Sequence, residues 1–260
     1  MKFSIVTPNW NGERYLAETL ASVAVQRADG LEVEHIVLDA MSADGSAAIL
    51  SAQADSITCI REPDTGPANA INKGLAMASG DVLAWLNADD VYAPGALQRV
   101  AEVFRCNPDA AICFGRCRIM DEKGREIRKG ITRFKEAFFP VSSRFTLQSI
   151  NYISQPAMFF RKSAFEKAGP LREDLKAAWD YEFILRLWRQ GRGVVVPGPA
   201  LASFRWHPGS ISGQYFHQQF KEEYESAVAD AGRFSVQAML HFGVRYGIVG
   251  IYSIMSRIRK

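Results

Sequence analysis

The stretch Val82-Leu-Ala-Trp-Leu-Asn-Ala-Asp-Asp90 joins a run of apolar residues to a polar end that contains two adjacent carboxylates. The apolar run, 82–86, predicts a buried β-strand that stops at Asn87. At least one of the two carboxylates should then point outward from the edge of the sheet. Aspartates also cap helices, and a helix is predicted to begin at Pro94, but a cap needs one carboxylate and this segment has two. The stretch therefore predicts a polar site directly after a buried strand.

On both sides of this stretch, apolar strand-like runs alternate with helical patterns. The predicted strands are Phe3–Thr7, His35–Leu38, Ile57–Ile60, Val82–Leu86 and Ala111–Phe114. The predicted helices are Glu13–Val25, Ala47–Ala52, Pro67–Met77 and Pro94–Phe104. Such alternation is typical of βαβ units, and it predicts an α/β fold with a doubly wound, Rossmann-like, parallel central sheet.

Polar or acidic residues follow four of these predicted strands. They are Pro8-Asn9, Asp39, Glu62-Pro63-Asp64 and Asn87-Ala88-Asp89-Asp90. In doubly wound sheets, ligands bind outside the carboxyl ends of the strands. Loops are polar for solubility as well, but solubility alone does not require carboxylates after three separate strands. We therefore expect one shared site at this edge of the sheet.

The regular alternation stops after Gly115. The second half is predicted to contain a strand pair over Arg116–Arg128, an irregular connection over Thr132–Asn151, a strand over Gln155–Arg161, helices over Lys162–Gly169 and Ala178–Gln190, and strands over Val194–Val196 and Leu201–Trp206. We interpret residues 116–212 as an elaboration that completes a site begun by residues 1–115, because it does not resemble a separately folding domain. Residues 213–260 are predicted to form a C-terminal helical extension.

The composition is that of an ordinary soluble chain of 260 residues, 48% hydrophobic and 23% charged, with a net charge of +3. That charge is too small to favour nucleic acid as a partner. The four cysteines do not form a disulfide framework and no signal peptide is recognisable, so we expect a cytoplasmic protein. The longest apolar stretch, Tyr246–Met255, is about half of the ~20 residues that span a bilayer, so no transmembrane helix is predicted.

The last segment, Gln237–Lys260, combines apolar side chains with Arg245, Arg257 and Arg259. It is too short for a membrane span, but it suits a helix that lies on an anionic membrane surface, here the inner face of the membrane. The alternative is a helix docked on the protein's own core or on a second copy of the chain in a homodimer.

The first half contains six short motifs: Ser4-Ile-Val-Thr-Pro-Asn-Trp-Asn-Gly12, Val37-Leu-Asp-Ala-Met-Ser-Ala-Asp-Gly-Ser46, Glu62-Pro-Asp-Thr-Gly66, Ala70-Ile-Asn-Lys-Gly74, Ala78-Ser-Gly-Asp81 and Leu86-Asn-Ala-Asp-Asp90. In this order and spacing they resemble glycosyltransferase family 2. The resemblance continues through Gln155-Pro156, Asp180-Tyr181 and Arg205-Trp206-His207, and it covers about residues 3–212. It implies the GT-A fold and an inverting transfer of sugar from a nucleotide-sugar donor.

The resemblance also implies roles for individual residues. The nucleotide-sugar would be bound by Pro8, Asn9, Glu13, Asp39, Asp64, Lys73, Asn87 and Ala88. A divalent cation, Mn2+ or Mg2+, would be held on the diphosphate by Asp89, Asp90 and His207. The acceptor would contact Gln155, Trp179, Glu182 and Trp206, and the catalytic base would be Asp180. The family's usual first aspartate is Asn87 here, which brings no charge and leaves the cation to Asp89 and Asp90.

These features favour a metal-assisted glycosyltransferase of the hexosyltransferase type that adds a single sugar, with a UDP-sugar as the first candidate donor. The acceptor expected from the resemblance is a bacterial surface polysaccharide or its lipid-linked precursor. Processive members carry a Q-x-x-R-W motif that Leu187-Trp-Arg-Gln-Gly191 lacks. One alternative is a nucleotidyltransferase, although Thr7-Pro-Asn-Trp-Asn-Gly12 is poor in the glycines and basic residues which that chemistry needs. Another alternative is a catalytically silent scaffold that binds nucleotide-sugar or membrane.

Overall fold

The computed structural model describes residues 1–27 and 30–258, with side chains in the last helix described as far as residue 247. The strands are β1 (Lys2–Asn9), β2 (Glu32–Asp39), β3 (Thr58–Arg61), β4 (Val82–Trp85), β5 (Val91–Tyr92), β6 (Ala110–Phe114), β7 (Cys117–Met120), β8 (Glu126–Ile127), β9 (Met158–Arg161), β10 (Arg192–Val195) and β11 (Ala202–Arg205). The α-helices are α1 (Glu13–Ala24), α2 (Ser46–Ser51), α3 (Pro67–Met77), α4 (Ala96–Cys106), α5 (Lys129–Glu136), α6 (Arg144–Ser149), α7 (Lys162–Ala168), α8 (Trp179–Trp188), α9 (Ile211–Gln214), α10 (Phe216–Ala231) and α11 (Val236–Ile258).

The central sheet has seven strands in the order β10-β6-β9-β4-β1-β2-β3. The neighbours β4, β1, β2 and β3 are parallel, as the alternation in the first half predicts. The strand β9, however, runs antiparallel to both β4 and β6. The prediction of a wholly parallel sheet is therefore wrong at this point, because a strand from the second half enters the middle of the sheet in the opposite direction.

A second sheet of four strands, in the order β5-β11-β7-β8, is not evident from the sequence. Its strand β11 is antiparallel to the short strand β5 and parallel to β7. Because β5 follows the polar residues after β4, this sheet brings the end of β11 beside the end of β4. It therefore positions the segment that contains Trp206 and His207.

The connection between β8 and β9 contains two α-helices, α5 and α6, where the sequence predicted irregular structure. The helix α6 begins at the cap residue Ser143, whose hydroxyl accepts a hydrogen bond from the backbone N–H of Thr146 at 3.1 Å. Its Leu147 is fully buried, and the helix packs against α8 and α11. A six-residue helix has little stability alone, so contacts with helices distant in sequence stabilise it. For this reason no local sequence pattern predicts it.

The helices α10 and α11 pack on each other, and they also contact α8 and α6, respectively. Within residues 1–27 and 30–258, no helix is both long enough and apolar enough to cross a bilayer. Three cations of the predicted membrane-binding tail, Arg257, Arg259 and Lys260, lie outside the residues whose side chains are described. The described part of the extension is therefore packed onto the body of the protein.

Candidate functional site

A cavity of about 660 Å3 lies at the carboxyl ends of β1 and β4. Most of the residues that the sequence analysis singled out line it: Pro8, Asn9, Asp64, Asn87, Ala88, Asp89, Gln155, Trp179, Asp180, Trp206 and His207. They come from both halves of the chain. The far wall also includes Phe216, Gln219 and Phe220 of α10, so three segments that are distant in sequence form one enclosure.

The side chain of Asn9 lies at the junction of the cavity and the β1–β2 edge. Its Nδ2 donates to Asp39 Oδ1 at 2.7 Å, and its Oδ1 is buried with no hydrogen-bond partner among the described residues. A side chain at Gly12 would collide with that oxygen. An unpartnered buried acceptor is costly, so Asn9 Oδ1 is an open position for a ligand that donates a hydrogen bond.

Asp39 is buried outside the cavity lining, with its carboxylate occupied by protein donors. It accepts from Arg61 Nε at 2.7 Å and from the backbone N–H of Ser42 at 3.2 Å. Burial acts to raise the pKa of Asp39, but hydrogen bonds from Ser42, Arg61 and Asn9 hold it below its usual value. In this arrangement Asp39 orients Asn9 and leaves no oxygen directed into the cavity.

Four other predicted site residues also lie outside the cavity lining, one of which, Asp90, is described below. Glu13 accepts from the backbone N–H of Gly45 at 2.9 Å, and Lys73 pairs with Glu62 at 2.6 Å. Glu182, predicted to contact the acceptor, pairs instead with Arg186 on the same helix. These side chains are satisfied by protein partners in the present structure.

The two adjacent carboxylates after β4 face in different directions. Asp89 Oδ2 lies 2.9 Å from Nε2 of His207, and both residues line the cavity. Asp90 is fully buried, where it accepts from the backbone N–H of Arg205 at 2.8 Å and from Asn87 Nδ2 at 3.2 Å. Burial and the nearby charge of Asp89 raise the pKa of Asp90 well above its usual value. Asp90 therefore serves the fold, and the metal-binding role expected for it does not fit its position.

Arg205 was quoted with the family resemblance but was given no role, although a guanidinium at the end of an apolar strand run signals a specific partner. Its side chain is almost fully buried. It donates to the backbone oxygen of Asp89 at 2.9 Å and to Glu18 at 2.5 Å, and it stacks over the ring of Tyr15 at 4.5 Å. Arg205 thus fixes the backbone of the residue whose side chain faces the cavity.

Asp89 and His207 are the side chains here that could hold a divalent cation. The described residues contain no cluster of three or more His, Cys, Asp or Glu side chains suited to a metal ion. Mg2+ and Mn2+ are often held by one or two protein ligands together with phosphate oxygens of a substrate. A carboxylate and an imidazole that meet at one point of a cavity fit such a cation, with its remaining positions open to phosphate.

Asp180 lies in the first turn of α8 and faces the cavity. Its Oδ1 accepts from the backbone N–H of Tyr181 at 2.7 Å. Burial, followed by the negative charge of Glu223, raises the pKa of Asp180 to about 6, with Tyr181 and Lys135 acting in the opposite direction. A carboxyl group whose pKa lies this close to neutrality is suited to accepting a proton from a substrate.

Glu223, which the sequence analysis missed, comes from α10 and is only 4% exposed. Its Oε1 accepts from Asn151 Nδ2 at 3.0 Å and from Gln219 Nε2 at 3.1 Å. Burial raises the pKa of Glu223, while its hydrogen bonds and the charge of Lys135 act to lower it. The ammonium group of Lys135 interacts with both Glu223 and Asp180, and burial lowers its own pKa.

The neighbouring residue Glu222 holds the start of the helix that bears Asp180. It is 3% exposed, and its carboxylate accepts from the backbone N–H groups of Lys176, Ala177 and Ala178 at 3.0, 2.9 and 3.0 Å. A negative charge at a helix N-terminus satisfies unpaired donors and opposes the helix dipole. The helix α10 therefore stabilises the segment that positions Asp180.

Two tryptophans predicted to contact an acceptor differ in their surroundings. Trp179 is largely buried against Trp85, with ring centroids 5.8 Å apart. Trp206 lines the cavity beside Arg128, whose guanidinium lies 3.9 Å from the ring centroid. Gln155 is also buried, and its Nε2 donates to the backbone oxygen of Trp85 at 2.8 Å. Trp206 is the better placed of the two rings for contact with a ligand.

The chain is similar to known proteins in sequence and in fold. The family model for Glycosyl transferase family 2 matches residues 4–169. An uncharacterized glycosyltransferase of Nostoc sp. is 32% identical over 178 residues, which are 66% of this chain and 54% of that protein. The O-antigen biosynthesis protein RfbC of Myxococcus xanthus is 33% identical over 191 residues, which are 71% of this chain and 14% of that protein. The chain thus spans about half of the first relative and a small part of the second.

Solved structures share the fold at low sequence identity. S. aureus TarS 1–349 in complex with UDP-GlcNAc matches 95% of this chain and 72% of its own, with a TM-score of 0.70 and 19% identity. The mannosyltransferase PcManGT from Pyrobaculum calidifontis, in complex with GDP-Man and Mn2+, matches 98% of this chain and 80% of its own, with a TM-score of 0.64 and 15% identity. These similarities confirm the predicted α/β fold of the GT-A type.

We expect the Glu222→Gln substitution to lower the free energy of unfolding at pH 7 by about 1.5–3 kcal/mol, because it removes a charged acceptor shared by three N–H groups. Burial acts to raise the folded-state pKa of Glu222, but the hydrogen bond from Gln218 and those from the three N–H groups hold it below its usual value. Its stabilising effect is therefore lost as the pH falls through that lowered value, and the difference from wild type should shrink in acid. Urea unfolding at neutral and acidic pH measures both effects.

Glu225 on the same helix is the matched control, since it is exposed and forms a surface ion pair with Lys221 at 3.7 Å. Glu225→Gln should change the free energy of unfolding by less than about 0.5 kcal/mol. Equal losses in the two variants would show that Glu222 does not cap α8.

Proposed function

The chain belongs to glycosyl transferase family 2, and we propose from that premise that it transfers a single sugar, with inversion, from a nucleotide-sugar to an acceptor hydroxyl. The observation that carries the proposal is that Asp180 lines the same cavity as the Asp89–His207 pair. One cavity thus offers a base for the acceptor and ligands for the cation that accompanies a diphosphate. A silent scaffold would have no need of a carboxyl group with a pKa of about 6 at that position.

In the proposed reaction, Asp180 accepts the proton of the acceptor hydroxyl while the hydroxyl oxygen attacks the anomeric carbon of the donor. The bond from that carbon to the diphosphate oxygen breaks, and the diphosphate leaves with the electron pair. A divalent cation, when bound, neutralises charge on the leaving diphosphate, and Asp89 and His207 are the side chains that would hold it. Lys135 and Glu223 set the charge around the base.

The donor is proposed from the site and from related structures. Asn9 Oδ1 offers an acceptor without a partner among the described residues, which suits a hydrogen-bond donor on a nucleotide base. The two solved structures described above hold UDP-GlcNAc and GDP-Man, respectively. We take a UDP-hexose as the first candidate donor and Mn2+ or Mg2+ as the cation.

The acceptor is proposed to be a growing cell-surface polysaccharide or a lipid-linked glycan. The similarity to an O-antigen biosynthesis protein supports this assignment. We also propose a cytoplasmic location at the inner face of the membrane, which rests on the exposed apolar side chains of α11.

Described side chains of α11 are consistent with contact at a membrane surface. Met239, Phe242 and Tyr246 are exposed and follow the spacing i, i+3, i+7, which puts them on one face of the helix. A partly exposed Arg245 lies beside them. Apolar side chains next to a cation suit the interface of an anionic bilayer, whereas a second copy of the chain would cover the same face in a homodimer.

Asp180→Asn tests the proposed base. The substitution removes proton acceptance and preserves size, so transfer should fall by roughly 100-fold or more while donor binding is retained. Transfer is measured with radiolabelled donor, and donor binding by the rise in Tm with UDP-, GDP- and dTDP-sugars, with and without Mn2+. Unchanged turnover would remove Asp180 from the mechanism, and no Tm shift with any donor in the wild type would contradict the proposed function.

The pH dependence of transfer gives an independent test. Because Asp180 must be deprotonated to act as a base, the rate should rise as the pH increases through about 6 and level off above it. Glu223→Gln removes a neighbouring negative charge, so the pKa of Asp180 should fall and the acid limb should move to lower pH. Glu225→Gln should leave the profile in place. An identical acid limb in wild type and Glu223→Gln would rule out this coupling.

Vesicle flotation tests the proposed membrane contact. The triple variant Met239→Ser, Phe242→Ser and Tyr246→Ser should bind vesicles of phosphatidylglycerol and phosphatidylcholine about tenfold more weakly than wild type, because apolar area is lost from the contact face. An unchanged Tm would show that the variant remains folded. Equal flotation would refute the membrane contact, and a wild-type dimer that the variant converts to monomer would assign the face to a second subunit.

A further inference from the structure

A second cavity, a groove of about 370 Å3, lies beside the main one between β7 and α5. Thr132 and Glu136 of α5 line both cavities. The groove therefore begins at the wall of the main cavity. The same helix also contains Lys135, whose charge interacts with Asp180, so one short helix connects the proposed base to the groove.

The groove is lined mainly by cationic side chains. Arg116 and Arg118 belong to one face at β7, since alternate residues of a strand point the same way. Lys129 and Arg133 share a face of α5 with Thr132 and Glu136, because the spacing is i, i+3, i+4, i+7. Two elements thus present their basic faces to a common space.

The carboxylates of the groove leave much of this positive charge uncompensated. Arg116 lies 3.4 Å from Glu136, and Lys129 lies 3.7 Å from Glu126. Both pairs are partly exposed, and such pairs contribute little. Arg118 and Arg133 are exposed, and within the described part of the chain their side chains make no hydrogen bond or ion pair. Four cations therefore face two carboxylates in this groove.

The lining is suited to one ligand chemistry. Guanidinium groups match the geometry of phosphate oxygens and bind them through paired, charge-assisted hydrogen bonds. Thr132 adds a hydroxyl whose oxygen is buried and has no hydrogen-bond partner among the described residues. The groove contains no aromatic side chain among its lining residues, and aromatic rings are the usual platform for a neutral sugar.

We propose that the groove of Arg116, Arg118, Lys129 and Arg133 binds a phosphate group of the acceptor, and that the acceptor is a phosphate-bearing molecule whose hydroxyl enters the main cavity. The inference rests on the proposed function, since it assigns the acceptor class for the same site. The phosphate belongs either to a water-soluble phosphate ester or to the headgroup of a lipid. Both present the same oxygens to the same guanidinium groups.

The test compares the double variant Arg118→Ala/Arg133→Ala with Arg105→Ala. Arg105 is an exposed arginine of α4 that lines neither cavity, so its removal changes the net charge without touching the groove. The water-soluble probe is glycerol 1-phosphate, with glycerol as its neutral match, followed by titration calorimetry. The lipid probe is phosphatidylcholine vesicles that carry polyprenyl phosphate, compared with vesicles without it.

Wild type and Arg105→Ala should bind at least one phosphate probe, and the affinity of the double variant for that probe should be lower by about tenfold or more. None of the three proteins should bind glycerol. Binding of glycerol 1-phosphate assigns a soluble ester, and binding of the vesicles alone assigns a lipid headgroup. Equal affinity in the double variant and wild type, or no binding of either probe by wild type, would overturn the proposal. The Tm shift with nucleotide-sugar should be unchanged in the double variant, and its absence in wild type would instead contradict the proposed function.

Discussion

The backbone N–H of Arg205 donates to the buried carboxylate of Asp90, and this contact joins the end of β11 to the end of β4. The guanidinium of the same arginine holds the backbone oxygen of Asp89 and the carboxylate of Glu18. Burying such groups is costly unless each has a partner, so the two strand ends have one well-defined arrangement. This arrangement determines where Asp89 and His207 lie. Asp89 is next to Asp90, His207 is two residues after Arg205, and their side chains meet at 2.9 Å.

The other side of the cavity depends on α10 in a comparable way. Successive residues on a helix point about 100° apart, so Glu222 and Glu223 reach different partners from adjacent positions. Glu222 caps the segment before α8, and Glu223 meets Asn151 next to the proposed base. The carboxylate that caps the helix bearing Asp180, and the charge that adds to burial in raising the pKa of Asp180, therefore both come from beyond residue 212.

The parts of the fold that the sequence predicts are those with local causes. The strands β1, β2 and β4 are apolar runs ended by polar residues, and the segment 67–77 was predicted with the bounds that α3 has in the structure. The direction of β9 has no local cause, because it depends on where the chain re-enters the sheet. The different orientations of the neighbours Asp89 and Asp90 also depend on distant residues. Asp90 is buried against Arg205 and Asp89 faces the cavity beside His207, so their positions in the sequence alone did not predict them. The sequence analysis gave no role to Glu222 or Glu223, since their burial depends on partners about 45 and 72 residues away.

A ribosome adds the cap of α8 only after the helix itself has been made. Residues 1–188 are synthesised before Glu222, so they are present for a time without the carboxylate that holds the backbone at Ala177 and Ala178. During that interval Asp180 also lacks the negative neighbour that raises its pKa. Every strand of the central sheet is therefore synthesised before Glu222 and Glu223, and translation of α10 supplies both carboxylates.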